Sequence, residues 1–423
     1  MHLSENPYQD SGVLEPLQHL RSFLAVARSG SVARAAELVF KAASAVTRSV
    51  GELEEALGTP LFERRPRGML LNAYGEAVQQ RAERIESEVS QVLDELGCSR
   101  SQRNSLASLL FSGHKLQLLI SMAEQRNVTA VAARLGISQA GASMALKRFE
   151  TALGAPLFQR MQQGLLPTDA AARLLVHAKL IAAELRHMQS DLAAIAGSLA
   201  GHVTVGALPL GRTLIVPAGI AAAVGRHPRL RVSTVESPYE ALLAGLRSGD
   251  IDFIFGALRA DRDTQGLLLE PLFEDRLGIL ARASHPLAVR ERIPLADLLN
   301  EQWVLPRPDA PGRRLVDASF SELGLAPPLA SVETGDLAIL RSLLFSSNML
   351  TAISPHQLCF ELEAGKLVEL PVELGQTVRQ IGITTRAHAQ LSPAAEAVLA
   401  AIRHQAGLLP PRPAAAPRGA FEA

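Results

Sequence analysis

Apolar positions in the first half of the chain recur at helical intervals; in the second half helical runs alternate with short strand-like ones. In "KLQLLISMAEQ", Leu116, Leu119, Ile120 and Ala123 share one helical face. Asn127 then opens a short helix, "VTAVAARLG", which Gly136 is placed to stop. A third helix is predicted over "ISQAGASMALKRFETALG". Ala142, Leu146, Phe149 and Leu153 line its apolar face, and Gln139, Ser143 and Lys147 recur every four residues on another. Gly154 ends this helix and Pro156 starts an extended segment, whose Leu157 and Phe158 pin a wing and leave Arg160 free to meet a phosphate. A helix apolar behind, with Gln, Ser and Lys in front, suits the DNA major groove: Gln pairs with adenine in bidentate fashion, Ser serves either partner, and Lys reaches guanine or phosphate.

The same pattern lies 96 residues earlier: "LGTPLFER" at Leu57–Arg64 returns as "LGAPLFQR" at Leu153–Arg160. Without a gap, Val32, Ala36, Leu53, Glu54, Pro60, Phe62 and Gly68 fall on Val128, Ala132, Phe149, Glu150, Pro156, Phe158 and Gly164. The repeat covers 17–75 and 113–171, each copy reading as three short helices and a wing. The copies differ in complementary ways. In the first, Ala42 and Ala43 stand where the second has Ser138 and Gln139, and the groove-facing series becomes Ala43, Thr47 and Gly51. Only Thr47 and Arg48 have reach there, but the wing carries Arg64, Arg65 and Arg67. The second keeps Ser138, Gln139 and Ser143, adds Lys147 and Arg148, and has a thinner wing with Arg160 alone. Base contacts specify and phosphate contacts position. The second copy is therefore expected to read sequence. The first is either an ancillary DNA clamp or a packing or protein-interaction module.

A long helical stretch follows each wing. The first, within a connecting segment over 76–112, has a thin seam of Val78, Ile85, Val89, Val92 and Leu96, and packs either on its own chain or on a partner. The second, over 172–200, carries a wide stripe from Leu174 to Ile195. From 201 to 405 strands and helices alternate, as in a doubly wound α/β domain. Its first lobe is expected at about 201–270 and 354–405 and its second at about 271–353, before a disordered Pro/Ala-rich tail over 406–423.

The length of 423 residues fits several domains. Lysine plus arginine equals aspartate plus glutamate, 42 each, so any basic footprint for DNA must be local. The two distant cysteines, Cys98 and Cys359, give no disulfide framework and no metal spacing and are expected as free buried thiols. The N-terminal stretch lacks the basic and apolar regions of a signal peptide, and no apolar run reaches membrane-spanning length, so a cytoplasmic protein without membrane contact is expected. The histidines show no metal spacing, and neither a nucleophile elbow nor a phosphate loop appears. No enzyme activity, metal or cofactor is expected.

"AARLGISQAGASMALKRFETALGAPLFQR", with "LRSFLAVARSGSVARAAE" and "LEEALGTPLFERRPRG" in the first copy, resembles the DNA-binding domain of LysR-type transcriptional regulators. "GDIDFIFG" and "ASHPLA" resemble that family's effector-binding domain. The resemblance implies a multidomain α and α/β protein: winged helix-turn-helix domains, here two in tandem, then linker helices and a two-lobed effector domain like periplasmic solute-binding proteins. It also implies operator DNA, a small-molecule effector and a second copy of the chain, as dimer or tetramer, for partners, with the linker helix pairing subunits. The family normally has one DNA-binding domain, so the duplication is a departure. Ligands in such sheets sit beyond the carboxyl ends of strands, where helix N-termini favour anions. That places Leu208, Pro209, Leu210, Arg212 and Thr213 near the cleft, with Glu236, Ser237, Thr334, Gly335, Ile353 and Ser354. Arg212 is either the partner of an effector carboxylate or an exposed first-turn arginine. Details such as "VTVGALPL" look most like members linked to sugar or aromatic-acid metabolism. A solute-binding protein is the other reading of the C-terminal half.

Overall fold

The computed structural model describes residues 11–65, 68–162, 164–259, 264–308, 310–375 and 377–409. A 3-10 turn over Ser11–His19 leads into α1 (Leu20–Ser29), α2 (Val32–Val39) and α3 (Ala43–Leu57), then a hairpin of β1 (Phe62–Arg65) and β2 (Gly68–Leu71). The long helix α4 (Ala73–Glu95) and the shorter α5 (Arg100–Leu110) follow. The same order returns as α6 (Gly113–Gln125), α7 (Val128–Arg134), α8 (Gln139–Leu153), the hairpin β3 (Phe158–Met161) and β4 (Gly164–Pro167), and the long helix α9 (Asp169–Ile195).

The two units are closed by the same bonds. The Leu61 amide donates to Glu54 Oε1 at 2.7 Å, and the Leu157 amide to Glu150 Oε1 at 3.1 Å. Asn72 and Thr168 cap the long helices from identical places, each also donating back to a proline carbonyl, Pro60 or Pro156. Gly68 and Gly164 have positive φ, and a Cβ on either would come 2.6 Å from a carbonyl oxygen, that of Gly30 or of Arg126. The wing can therefore lie against the end of the first helix only with glycine there.

The connecting segment expected over 76–112 is two helices. Gly97 turns the chain at φ 60°, and a capping box between Ser99 and Gln102 starts α5 afresh. The linker expected over 172–200 starts earlier, because Thr168 caps it. Its apolar stripe is covered by α4 of the same chain, where two subunits were expected to meet. The two helices run antiparallel: Arg81 bonds Glu184 and Asp191, whereas Glu88, later in α4, meets His177, earlier in α9. One continuous apolar core, from Leu14 to Leu192, joins both units and both long helices. Among the described residues no single helix is long and apolar enough to cross a membrane.

The remaining elements are β5 (Gly201–Ala207), α10 (Ile215–Arg226), β6 (Leu230–Val235), α11 (Tyr239–Ser248), β7 (Phe253–Ala257), β8 (Leu267–Asp275), β9 (Gly278–Arg282), β10 (Trp303–Leu305), α12 (Pro311–Glu322), β11 (Ala330–Glu333), α13 (Leu337–Ser346), β12 (Thr351–Ile353), α14 (Cys359–Glu363), β13 (Leu367–Glu369), β14 (Arg379–Arg386) and α15 (Pro393–Gly407). The first lobe is the sheet β6-β5-β7-β14-β8, parallel through β5 and antiparallel at β14. Val203, Val205, Phe253 and Phe255 line one buried face of its strands and Ile254 is buried on the other, as a sheet covered on both faces requires. The second lobe pairs β12-β9-β13 and β10-β11, which the Trp303–Leu350 bridge joins.

Strand pairing moves the lobe boundaries. β8 runs to Asp275 inside the first sheet, and β13 pairs with β9, so the second lobe extends past 353. Both crossings connect strands that are locally alike, and only pairing partners distinguish them. Within the tail expected from 406, Ala406 is buried and Leu409 packs on the same core, while 410–423 lie outside the described residues. Cys359 is buried, but Cys98 is half-exposed rather than buried.

Candidate nucleic-acid interface and effector cleft

Ser138 starts α8: its side chain accepts the Gly141 amide at 3.0 Å, so one orphan donor of the helix end is satisfied. Behind, Ala142, Phe149 and Leu153 are buried; in front, Gln139, Ser143, Lys147 and Arg148 are all exposed. Lys147 and Arg148 lie towards α5, where they border a groove with Ser101, Gln102 and Ser105. Arg160 is exposed on β3. Met144, 60% exposed beside Ser143, falls outside the apolar period of α8 and places a flexible apolar side chain beside the exposed polar ones.

The first unit offers less. Ala42 caps nothing, Thr47 gives its hydroxyl proton to the Ala43 carbonyl at 3.0 Å, and Arg48 is held by Glu52 at 2.8 Å. Phe40 stands where the second unit has Gly136, at φ 54° and 96% exposed, with Leu38 exposed beside it. The backbone of Arg64 and Arg65 lies in β1; their side chains and all of Arg67 fall outside the described residues.

In the two-lobed domain the expected cleft residues lie at or after strand ends, but several of their side chains are buried within a lobe. Leu208, Leu210 and Ile353 are buried in the apolar cores of their lobes. Ser354 is fully buried, with its hydroxyl donating to Asp275 Oδ1 at 2.6 Å, where Arg379 also binds. These four side chains are packed inside their lobes, because successive side chains along a strand point to opposite faces and only one face can meet a cleft. Pro209, Glu236 and Gly335 are exposed, and Arg212, Thr213, Ser237 and Thr334 partly so. Thr213 crosses between lobes, donating to the Gln357 carbonyl at 2.9 Å. Arg212 donates Nε to the Ala207 carbonyl at 2.8 Å. Burial lowers its pKa, against the opposing charge of Glu236. Asp336, at the end of the Thr334–Gly335 turn, caps α13 with its own carboxylate, accepting the Ala338 and Ile339 amides. That helix end therefore already holds an anion. Among the described residues no group of three or more His, Cys, Asp or Glu side chains could hold a metal ion.

A charged cluster that local periodicity does not reveal lies between α4 and α9. Arg81 is fully buried and donates to Asp191 at 2.6 Å, to Glu184 at 2.9 Å, and to the carbonyls of Gln390 and Leu391. Arg84 also bonds Glu184. His177 sits 2.7 Å from Glu88 and 3.3 Å from Glu95. Burial opposes charge on His177, but the two carboxylates outweigh it and its pKa is raised. The other side of α9 meets the first lobe, where His187 lies 2.9 Å from the buried Asp252 and Lys179 2.6 Å from Asp250.

Helix-and-wing units joined to a two-lobed α/β domain are the architecture of a transcriptional regulator, and comparison with known proteins settles the class. Residues 196–407 match the LysR substrate binding domain family, and the family of bacterial regulatory helix-turn-helix proteins of the lysR type matches over 17–76 and 114–172. The chain belongs to the LysR family of transcriptional regulators, whose relatives are regulators and not enzymes. It is 43% identical to the HTH-type transcriptional regulator GalR of Pseudomonas putida over 390 residues, 92% of this chain and 97% of that protein. PcaQ of Agrobacterium fabrum is 29% identical over 70% of this chain and 94% of its own. Among solved structures, a full-length OxyR variant from Pseudomonas aeruginosa matches with a TM-score of 0.52 and 22% identity, and CbnR, a LysR family regulator, with 0.50 and 19%. These two cover 97% and 98% of their own chains but only 69% of this one, so about a third of this chain has no counterpart in those matches.

Proposed function

We propose that the chain is a LysR-type regulator with tandem winged helix-turn-helix units, the second reading operator sequence and the first holding DNA backbone through its wing arginines. The observation that carries this is the contrast between α8, with Gln139, Ser143 and Lys147 all open, and α3, where Thr47 and Arg48 are engaged within the helix. The effector is a small organic acid or sugar taken between the lobes, with Arg212 facing the carboxylate if it is an acid. Of the residues expected at the cleft, Arg212 is the one cation, and it is half-buried beside the turn that crosses to the second lobe.

Gln139→Ala should remove about 1–3 kcal/mol of discrimination at one base pair, measured by competition binding against single-base operator variants. Replacing Arg64, Arg65 and Arg67 with alanine should instead weaken binding to all sequences alike and flatten the slope of log affinity against log salt by about three. An unchanged slope would mean that the first wing does not hold phosphate. For the effector, a thermal-shift screen of sugars and aromatic acids should find a ligand that stabilises the wild type by about 2–3 kcal/mol near a hundredfold excess over its Kd. Arg212→Ala should abolish that shift for an acid. An acid that stabilises both proteins equally would remove Arg212 from the site.

A further inference from the structure

The contacts between α4 and α9 repeat at the same 96-residue offset as the sequence. Arg81 pairs with Glu184 and Asp191, and its counterpart His177 pairs with Glu88 and Glu95, which are the counterparts of Glu184 and Asp191. Residue i of one helix thus meets residue j of the other, and the counterpart of i meets the counterpart of j. That reciprocity is the signature of a two-fold interface between like surfaces. The apolar seam obeys it too. Val78, Ala82, Ile85, Val89 and Val92 are buried on α4, and their counterparts Leu174, Ala178, Ile181, Leu185 and Met188 are buried on α9. Each unit is tied to its long helix by the same capping bonds at Asn72 and Thr168. The rotation that carries α4 onto α9 therefore carries α3 towards α8 and one wing towards the other.

We propose that a single chain is the complete two-fold DNA-binding unit: an internal pseudo-dimer whose α3 and α8 engage the two halves of one operator. Because Ala43, Thr47 and Gly51 stand on one recognition helix and Gln139, Ser143 and Lys147 on the other, the two half-sites differ. One is read by base contacts, and the other is held mainly through its backbone. The proposal rests on the assignment of both units as DNA-binding.

The test is selection of binding sites from a random-sequence duplex library with the full-length chain, followed by hydroxyl-radical footprinting of the enriched duplex. The expected site has two unlike halves, about 10 bp or a multiple apart. Gln139→Ala should relax one half by roughly 5- to 150-fold and leave the other unchanged. Alanine at Arg64, Arg65 and Arg67 should erase backbone protection over the other half alone. An inverted repeat of like halves, both relaxed by Gln139→Ala, would show that two chains each supply α8 and would overturn this inference while sparing the regulator assignment. Protection of a single half-site would overturn it likewise. A library from which nothing is enriched would overturn the DNA-binding assignment itself, and the inference with it.

Discussion

Arg81→Ala should destabilise the protein by about 3–5 kcal/mol, the cost of breaking a buried charge network by removing one partner. Arg81 has no exposed surface, so solvent does not screen the loss. Its removal leaves Asp191 without its guanidinium partner and Glu184 with Arg84 alone, and strips a donor from the Gln390 and Leu391 carbonyls. These carbonyls precede α15, so the same side chain ties the helix pair to the first lobe. Arg81→Lys should recover only part, because one ammonium cannot serve four acceptors in the fork geometry of a guanidinium. Urea unfolding of the three proteins measures this. A loss below about 1 kcal/mol for Arg81→Ala is the size of a surface pair and would mean that the network is not buried as described.

Asp252→Ala should have the second largest effect, again about 3–5 kcal/mol, at the other face of α9. Asp252 faces His187 at 2.9 Å and accepts the Thr204 amide at 2.8 Å. Burial pushes its carboxyl pKa up, but the hydrogen bond and charge of His187, the Thr204 amide and Arg186 outweigh this, and the net shift is downward. A carboxylate with a depressed folded pKa adds stability above its unfolded pKa of about 3.9, and that stability is lost as pH falls through the folded value. The gap between wild type and Asp252→Asn, which keeps the shape but not the charge, should therefore be full near neutral pH and close in acid. Unfolding midpoints across pH check this; a gap that widened in acid would contradict the assignment.

Much of this architecture is legible in the chain because local periodicity carries it. The apolar face of α8, the stop at Gly154 and the alternation after 201 follow from side chains near in sequence. What escaped was non-local. The repeat is recognisable by its letters only to Ala171, yet its register continues through positions that keep burial or charge rather than identity. Arg81, Glu88 and Glu95 recur every seven residues, as do His177, Glu184 and Asp191. Charges at heptad spacing on an apolar seam were the available signal. Which helix covers α9 depends on a partner distant in sequence, so periodicity predicts the stripe and leaves its occupant open. Ser354 and Leu208 were placed in the cleft by position at strand ends, but burial and the Asp275 bond, not position, decide where their side chains go.

Pairing of α4 with α9 within one chain is measured directly by a cross-link between them. Arg173 Nη1 donates to the Glu95 carbonyl at 3.2 Å, and both side chains are exposed. In a full-length chain with Cys98→Ser and Cys359→Ser, the pair Glu95→Cys and Arg173→Cys should be joined by a short bis-maleimide into a product of one-chain mass. Mixing isotopically heavy and light protein should yield no hybrid. A cross-linked product of two-chain mass, half of it hybrid after mixing, would show that the helices pair between chains and would contradict the account.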